Sequence, residues 1–274
     1  MKLLYSSWFG PSPDMVNLAR SSMEMGEISN FLSQKHGFET IFVGDKKSIE
    51  MYKNVPFNKV MEFDDRINQV PKCMWSAGKL IALSMMDEPV IHVDFDMFFL
   101  NAPSRQKIEK DIVCFHTERI WDDKWSRLYD TYKEVAPAET LTIKPISYNC
   151  GIIGGNNINF IKSCINNLIE HIILNKTKIE IIYEKFKQNK NLDFFHIPAV
   201  LLEQIWLYQL FTYYNKKIDP FFVGEPCEPF ISNICELNIM ALNEGIIHFQ
   251  FNKNTSKTIF AIRKFYNILI NNKK

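Results

Sequence analysis

Hydrophobic positions recur along this chain with two periods, and the switches between them mark its elements. Lys2–Phe9 is an extended apolar run rich in Leu, Tyr, Trp and Phe, broken by Gly10-Pro11-Ser12-Pro13, and predicts a first strand. Asp14–His36 changes to helical spacing through Met15, Leu18, Met25, Ile28, Phe31 and Leu32, with Gly37 placed to stop the helix. Thr40–Val43 and Lys59–Phe63 predict short strands, and Lys72–Met86 a helix with Trp75, Leu80, Ile81 and Leu83 as its apolar positions. Val90–Asp94 is a continuous apolar strand, the pattern of a strand buried on both faces of a mainly parallel sheet. Asp111–His116 and Ser147–Gly155 follow as strands and Ile158–Leu174 as a helix. The Lys-rich 175–190 stretch reads as a solvated helix face or loop. Val200–Tyr214 reads as a helix, Gly245–Phe251 as a late strand and Thr258–Ile270 as a last amphipathic helix. Strand–helix alternation of this kind predicts an α/β domain.

Composition narrows the class without naming a function. A hydrophobic share of 46% and a charged share of 23% are those of a globular chain. A formal net charge of +1 gives no field that would draw nucleic acid, so none is expected as a partner. The six cysteines stand singly, without the paired spacing of a zinc site. No signal peptide is read at the start and no run of about 18 apolar residues is present, so a reducing cytoplasm is the expected setting. No repeat or linker divides the 274 residues, and one domain is expected.

The candidate chemistry starts at Val90-Ile91-His92-Val93-Asp94-Phe95-Asp96. Residues two apart in an extended chain share a side, so Asp94 and Asp96 are expected to converge at the carboxyl end of a buried strand. Open α/β sheets place ligands there. Two such carboxylates repel and call for a cation, a shared proton or a basic partner. A hard divalent ion satisfies them and can also bridge phosphates. The plainer reading is a strand cap that starts a turn. His92 is read as structural. Asn149-Cys150-Gly151 puts an amide and a glycine on an apolar strand, Glu203-Gln204 interrupts an apolar helical segment, and His248 closes a late strand with Lys253 behind it.

Taken in order, Lys79, Asp94-Phe95-Asp96, Asn149-Cys150-Gly151, Glu203-Gln204 and His248 with Lys253 resemble the motifs of GT-A glycosyltransferases. The likeness is to family 8 and the related enzymes with a DxD sugar-binding region, and it spans Leu3 to Lys257. Lys79 stands where that family has Arg, and the Gly and Pro that flank the late Lys are missing. The resemblance implies a GT-A, Rossmann-like, mixed and mainly parallel sheet flanked by helices. It divides the chain into a nucleotide-binding half at 1–116, an acceptor and donor-sugar half at 117–257 and a C-terminal helix at 258–274. It further implies a metal, Mn²⁺ or Mg²⁺, held by Asp94, Asp96 and His248. Substrate contacts would come from Ser6, Ser7, Trp8, Lys79, Asp94, Asn149, Gly151 and Lys253, with Glu203 and Gln204 at the reacting carbon. The implied partners are a nucleotide-sugar donor, a UDP-sugar above all, and a glycan or lipid-linked acceptor.

Rival readings are a HAD-type phosphatase using Asp94 and Asp96, and a non-catalytic carbohydrate-binding relative. The first wants its DxD near the N-terminus and a later acidic pair. A nucleotidyltransferase wants a glycine-rich basic loop where Ser6-Ser7-Trp8-Phe9-Gly10 stands, and Gly151–Gly155 is no dinucleotide fingerprint. The helix at 258–270, with Lys257, Arg263 and Lys264 around an apolar face, reads as docked on the sheet or as a peripheral membrane contact.

Overall fold

The computed structural model describes residues 1–10, 16–118, 130, 132–142, 147–188, 199, 201–222, 245–248, 264 and 267. Its centre is a sheet whose strands, the last one apart, follow the predicted apolar runs. The strands are β1 (Lys2–Ser7), β2 (Thr40–Gly44), β3 (Lys59–Glu62), β4 (Val90–Val93), β6 (Val113–Glu118), β7 (Ser147–Gly155) and β8 (Asp219–Phe222), in the order β3-β2-β1-β4-β7-β6-β8. β1 is parallel to β2 and β4, and β2 to β3. β7 runs against both β4 and β6, and β8 is parallel to β6. The fold is therefore α/β with a mixed, mainly parallel sheet, as expected. Two short strands outside it, β5 (Met97–Phe99) and β9 (Ile246–His248), pair antiparallel.

Helices cover both faces. They are α1 (Val16–Lys35), α2 (Lys46–Met51), α3 (Ala77–Ser84), α4 (Arg105–Ile108), α5 (Ile158–Leu174), α6 (Lys176–Gln188) and α7 (Leu207–Tyr213), with a π-helix at Leu201–Trp206. α1 stops where the glycine predicts: Gly37 takes φ +81°, its N–H reaches Gln34 O and that of Phe38 reaches Ser33 O. The Lys-rich segment after Leu174 is helical as α6, and its Ile179 is buried.

Strand alternation sorts the core into two layers. Leu3, Tyr5, Ile91, Val93 and Ile152 pack with Met97 and Phe99 on one face. Leu4, Val90, Cys150 and Ile153 pack with α3, α5 and the π-helix on the other. All four residues of β4 are buried, which explains its unbroken apolar reading. Close packing of β4 on β7 depends on Gly154, where a Cβ would stand 2.3 Å from Val90 O. Cys73, Cys114, Cys150 and Cys164 are free, buried thiols. No helix among the described residues is long and apolar enough to cross a membrane. The 258–270 helix expected from sequence lies, apart from 264 and 267, outside the described residues.

Candidate functional site

The connections leaving β1 and β4 part at the centre of the sheet. β1 is flanked by β2 on one side and β4 on the other, so the strand order reverses between β1 and β4. Ligands of open α/β sheets bind in the crevice such a reversal leaves at the carboxyl ends of the strands. Ser6 and Ser7 end β1 there, Trp8 follows β1 and Asp94 follows β4.

From α3, a buried lysine reaches into this edge. Every residue of α3 is buried, Lys79 included, so its ammonium has to be met inside the protein. Lys79 Nζ donates to Asp94 Oδ2 at 3.0 Å and to the Cys150 carbonyl at 2.9 Å, and it forms ion pairs with Asp94 Oδ1 at 2.8 Å and Glu203 Oε2 at 2.9 Å. Two carboxylates and one carbonyl thus surround the ammonium. Burial alone would lower its pKa, but Asp94 and then Glu203 outweigh that and hold it raised, as a permanent cation. The side chain of Glu203 is 5% exposed and that of Asp94 31%, so Asp94 is the member of the trio that meets solvent. Lys79, expected from sequence among the substrate contacts, is placed here between two carboxylates.

His92 joins the group, although its sequence context suggested a purely structural residue. Its Nε2 lies 2.8 Å from Ser6 Oγ and its Nδ1 3.7 Å from Asp94 Oδ1, the second too long for a hydrogen bond. Burial, and then the Lys79 charge, lowers its pKa well below the ordinary histidine value, so the ring is neutral. The signal for it was the alternation argument itself. β4 ends at Val93, and the pair on one face is His92 and Asp94.

Asp94 and Asp96 are arranged by a turn, which corrects the extended geometry read from the motif. Phe95 and Asp96 are turn residues, and Met97 N–H reaches back to Asp94 O at 3.0 Å. Phe95 anchors that turn by stacking on Tyr52 at 4.7 Å and on Tyr5 at 5.4 Å between ring centres. Asp96 is buried at 4% exposure. Across the β5–β9 pair, Met97 sits opposite His248, so the backbone of His248 runs beside the turn; its side chain lies outside what is described. Lys253 lies outside the described residues altogether. Among the described residues, no three His, Cys, Asp or Glu side chains gather as a cation site.

The remaining candidates separate by role. Asn149 is 3% exposed and its Oδ1 accepts from Gly151 N–H at 2.9 Å, while Gly151 O accepts from Asp94 N–H at 2.9 Å. Asn149 and Gly151 thus shape β7 and fix the backbone of Asp94. Glu203 and Gln204 point to different neighbours, Glu203 to Lys79 and Gln204 Oε1 to Ser147 Oγ at 3.2 Å. Both lie on the π-helix, a rare form that is frequent at functional sites. Trp8 is half-buried and lies on Gly78, where a Cβ would come to 3.1 Å from the Trp8 Cβ. Ser7 is half-buried and pairs in register with Gly44.

Comparison with known proteins gives a remote structural likeness and a family. A galactosyltransferase, LgtC, solved in complex with donor and acceptor sugar analogs, superposes with a TM-score of 0.48 at 8% identity, over 98% of this chain and 95% of that one. No curated protein matches the sequence. The profile of a family of unknown function, DUF6734, matches residues 28–270, and the chain belongs to that family.

Proposed function

We propose that this protein is a metal-dependent glycosyltransferase of GT-A type that moves a sugar from a nucleotide-sugar, a UDP-sugar above all, to a hydroxyl of a glycan. The observation that carries the reading is the Lys79–Asp94–Glu203 cluster, built at the carboxyl edge where β1 and β4 diverge. Perturbed, mutually held ionisable groups at such an edge mark functional sites.

The donor set suits a hard divalent ion. Acid groups outnumber the one ammonium in the trio, Asp96 adds another carboxylate two residues on, and oxygen ligands are what Mn²⁺ and Mg²⁺ take. Asp94 and Asp96 would hold it, with His248 from the neighbouring β9. When bound, the ion supplies positive charge to a leaving diphosphate. Asp94 is kept in place by Lys79 at its carboxylate and by Gly151 at its backbone. Ser6, fixed by neutral His92, presents a hydroxyl at the end of β1 to the nucleoside. Gln204 is half-buried and would be the member of the Glu203–Gln204 pair to meet the donor sugar. Glu203, ion-paired with Lys79, sets the cluster rather than attacking.

A panel of nucleotide-sugars incubated with the full chain and Mn²⁺ tests this. UDP release is expected from at least one UDP-sugar, lost in Asp94→Asn while the protein still melts cooperatively. No turnover of any donor, with or without saccharide acceptors, would overturn the assignment.

A further inference from the structure

One cavity shares only Trp8 with the candidate residues above. It has a volume of about 600 Å³ and opens between the end of β1, the 3-10 turn at Asp65–Asn68, the segment after Val70 and helix α6. That volume falls within the range of small-molecule sites. One wall is braced by Arg66, which bonds Ser84 of α3 at 2.9 Å and Asn166 of α5 at 2.6 Å. The other wall is one face of α6. Lys176, Glu180, Tyr183 and Glu184 follow the i, i+4, i+7, i+8 spacing of a single helical stripe and all line the cavity, while Ile179 turns to the core. Trp8 and Lys72 complete the lining that matters here. Glu180 and Glu184 are close enough to Cys73 to add to the burial that pushes its thiol up to about 12.

We infer that this cavity binds a neutral saccharide. The two lysines and two glutamates balance, so no net field favours a phosphate or another anion. The same four charges are unfavourable walls for a wholly apolar ligand. What they suit is a molecule with many hydroxyls, each able to donate to a carboxylate and accept from an ammonium. Trp8 and Tyr183 offer large apolar surfaces to the C–H faces of a sugar ring. Gly10 lets the chain after β1 fold over the indole, since a Cβ there would stand 2.2 Å from Trp8 Nε1. Trp8 also rests on Gly78 of α3, the helix that carries Lys79, so the cavity and the charged cluster share that helix as a neighbour. That it is the acceptor rests on the glycosyl-transfer reading; that it binds does not.

Saturation-transfer NMR on the full chain tests the inference with lactose and chitobiose as neutral probes and digalacturonate as a charged one. The neutral disaccharides are expected to receive saturation and digalacturonate not. Glu180→Ala or Tyr183→Ala, checked for an unchanged melting temperature, is expected to weaken binding about tenfold through a lost hydrogen bond or ring contact. Absence of saturation on both neutral probes, equal signals in both variants, or preferential binding of digalacturonate each overturns the proposal. In Asp94→Asn the saccharide signal is expected to persist. If no donor sugar is ever turned over while that signal stands, the transfer reading fails and the saccharide site survives.

Discussion

β1 carries two buried polar networks, one on each face, and they differ in kind. On the face toward α1, Tyr5 OH lies 2.7 Å from Ser33 Oγ and 3.1 Å from Ser29 Oγ, and Ser29 Oγ donates to Met97 O at 2.7 Å. All are neutral groups. They join α1 to β1 and to the strand after the Asp94–Asp96 turn. On the face toward α3, Ser6 and His92 lead to a lysine and two carboxylates. Neutral hydroxyl pairs are modest contributors that fix geometry, whereas buried ions carry a desolvation cost that apolar packing would avoid. Retaining the ions on only one face, at the ligand edge of the sheet, distinguishes a chemical site from a structural seam.

The sharpest way to break that contrast is to remove the cation. Lys79→Met leaves Asp94 and Glu203 facing each other without compensation, and a loss of about 3–5 kcal/mol is expected in urea unfolding. Adding Glu203→Gln should recover much of that stability. Transfer activity should stay depressed by about 10²- to 10³-fold in the double variant, because preorganised charge is still missing. A Lys79→Met protein as stable as the parent would show that the charged face has no greater weight than the hydroxyl face.

A milder probe is Glu203→Gln alone. The amide keeps the shape and an acceptor for Lys79, and Asp94 still pairs the ammonium, so a stability change of about 1 kcal/mol is expected. If Glu203 acts through Lys79, kcat should fall while donor affinity, read by calorimetry with UDP and Mn²⁺, stays near the parent value. Loss of UDP affinity with unchanged kcat would place Glu203 at the ground-state ligand instead.

How much of this was legible beforehand differs between the two faces. β7 and α5 were read to their observed ends, because long apolar runs bounded by glycine or asparagine fix both period and limits. Lys79 could have been placed inside, since its neighbours Ala77, Leu80 and Ile81 leave α3 no solvent face. The Asp94–Asp96 geometry was misread because strand alternation was carried past Val93, where the chain already turns. β5 and β8 were missed: three or four residues show no period, and their pairing is settled by partners distant in sequence. The π-helix escaped because six residues are too few to separate its turn from that of an α-helix. The seam of Tyr5, Ser29 and Ser33 is a tertiary fact, with helix and strand positions meeting only once packed.

The smallest expected effect sharpens the neutral side of the comparison. Tyr5→Phe removes one hydroxyl from the α1 seam, where Ser29 still has Met97 O as an acceptor, so a cost of about 1 kcal/mol and near-parent activity are expected. Its pH dependence carries more information. Burial pushes the Tyr5 hydroxyl up to about 12 from an ordinary value of 10.0, partly offset by its bonds to Ser29 and Ser33. A group whose folded pKa is raised stabilises the fold fully below the unfolded pKa and loses that contribution as pH climbs through the folded one. The seam should therefore leave the melting temperature flat with respect to Tyr5 up to about pH 10 and contribute to its fall between there and pH 12. Thermal melts of the parent and Tyr5→Phe across that window isolate the effect. Other buried tyrosines, Tyr52 among them, remain in both proteins and cancel in the difference. The gap between the two curves should narrow as pH rises from 10 to 12. A gap that stays constant would mean that the Tyr5 hydroxyl is not held as a buried neutral donor, and that the two faces of β1 are less unlike than their contacts indicate.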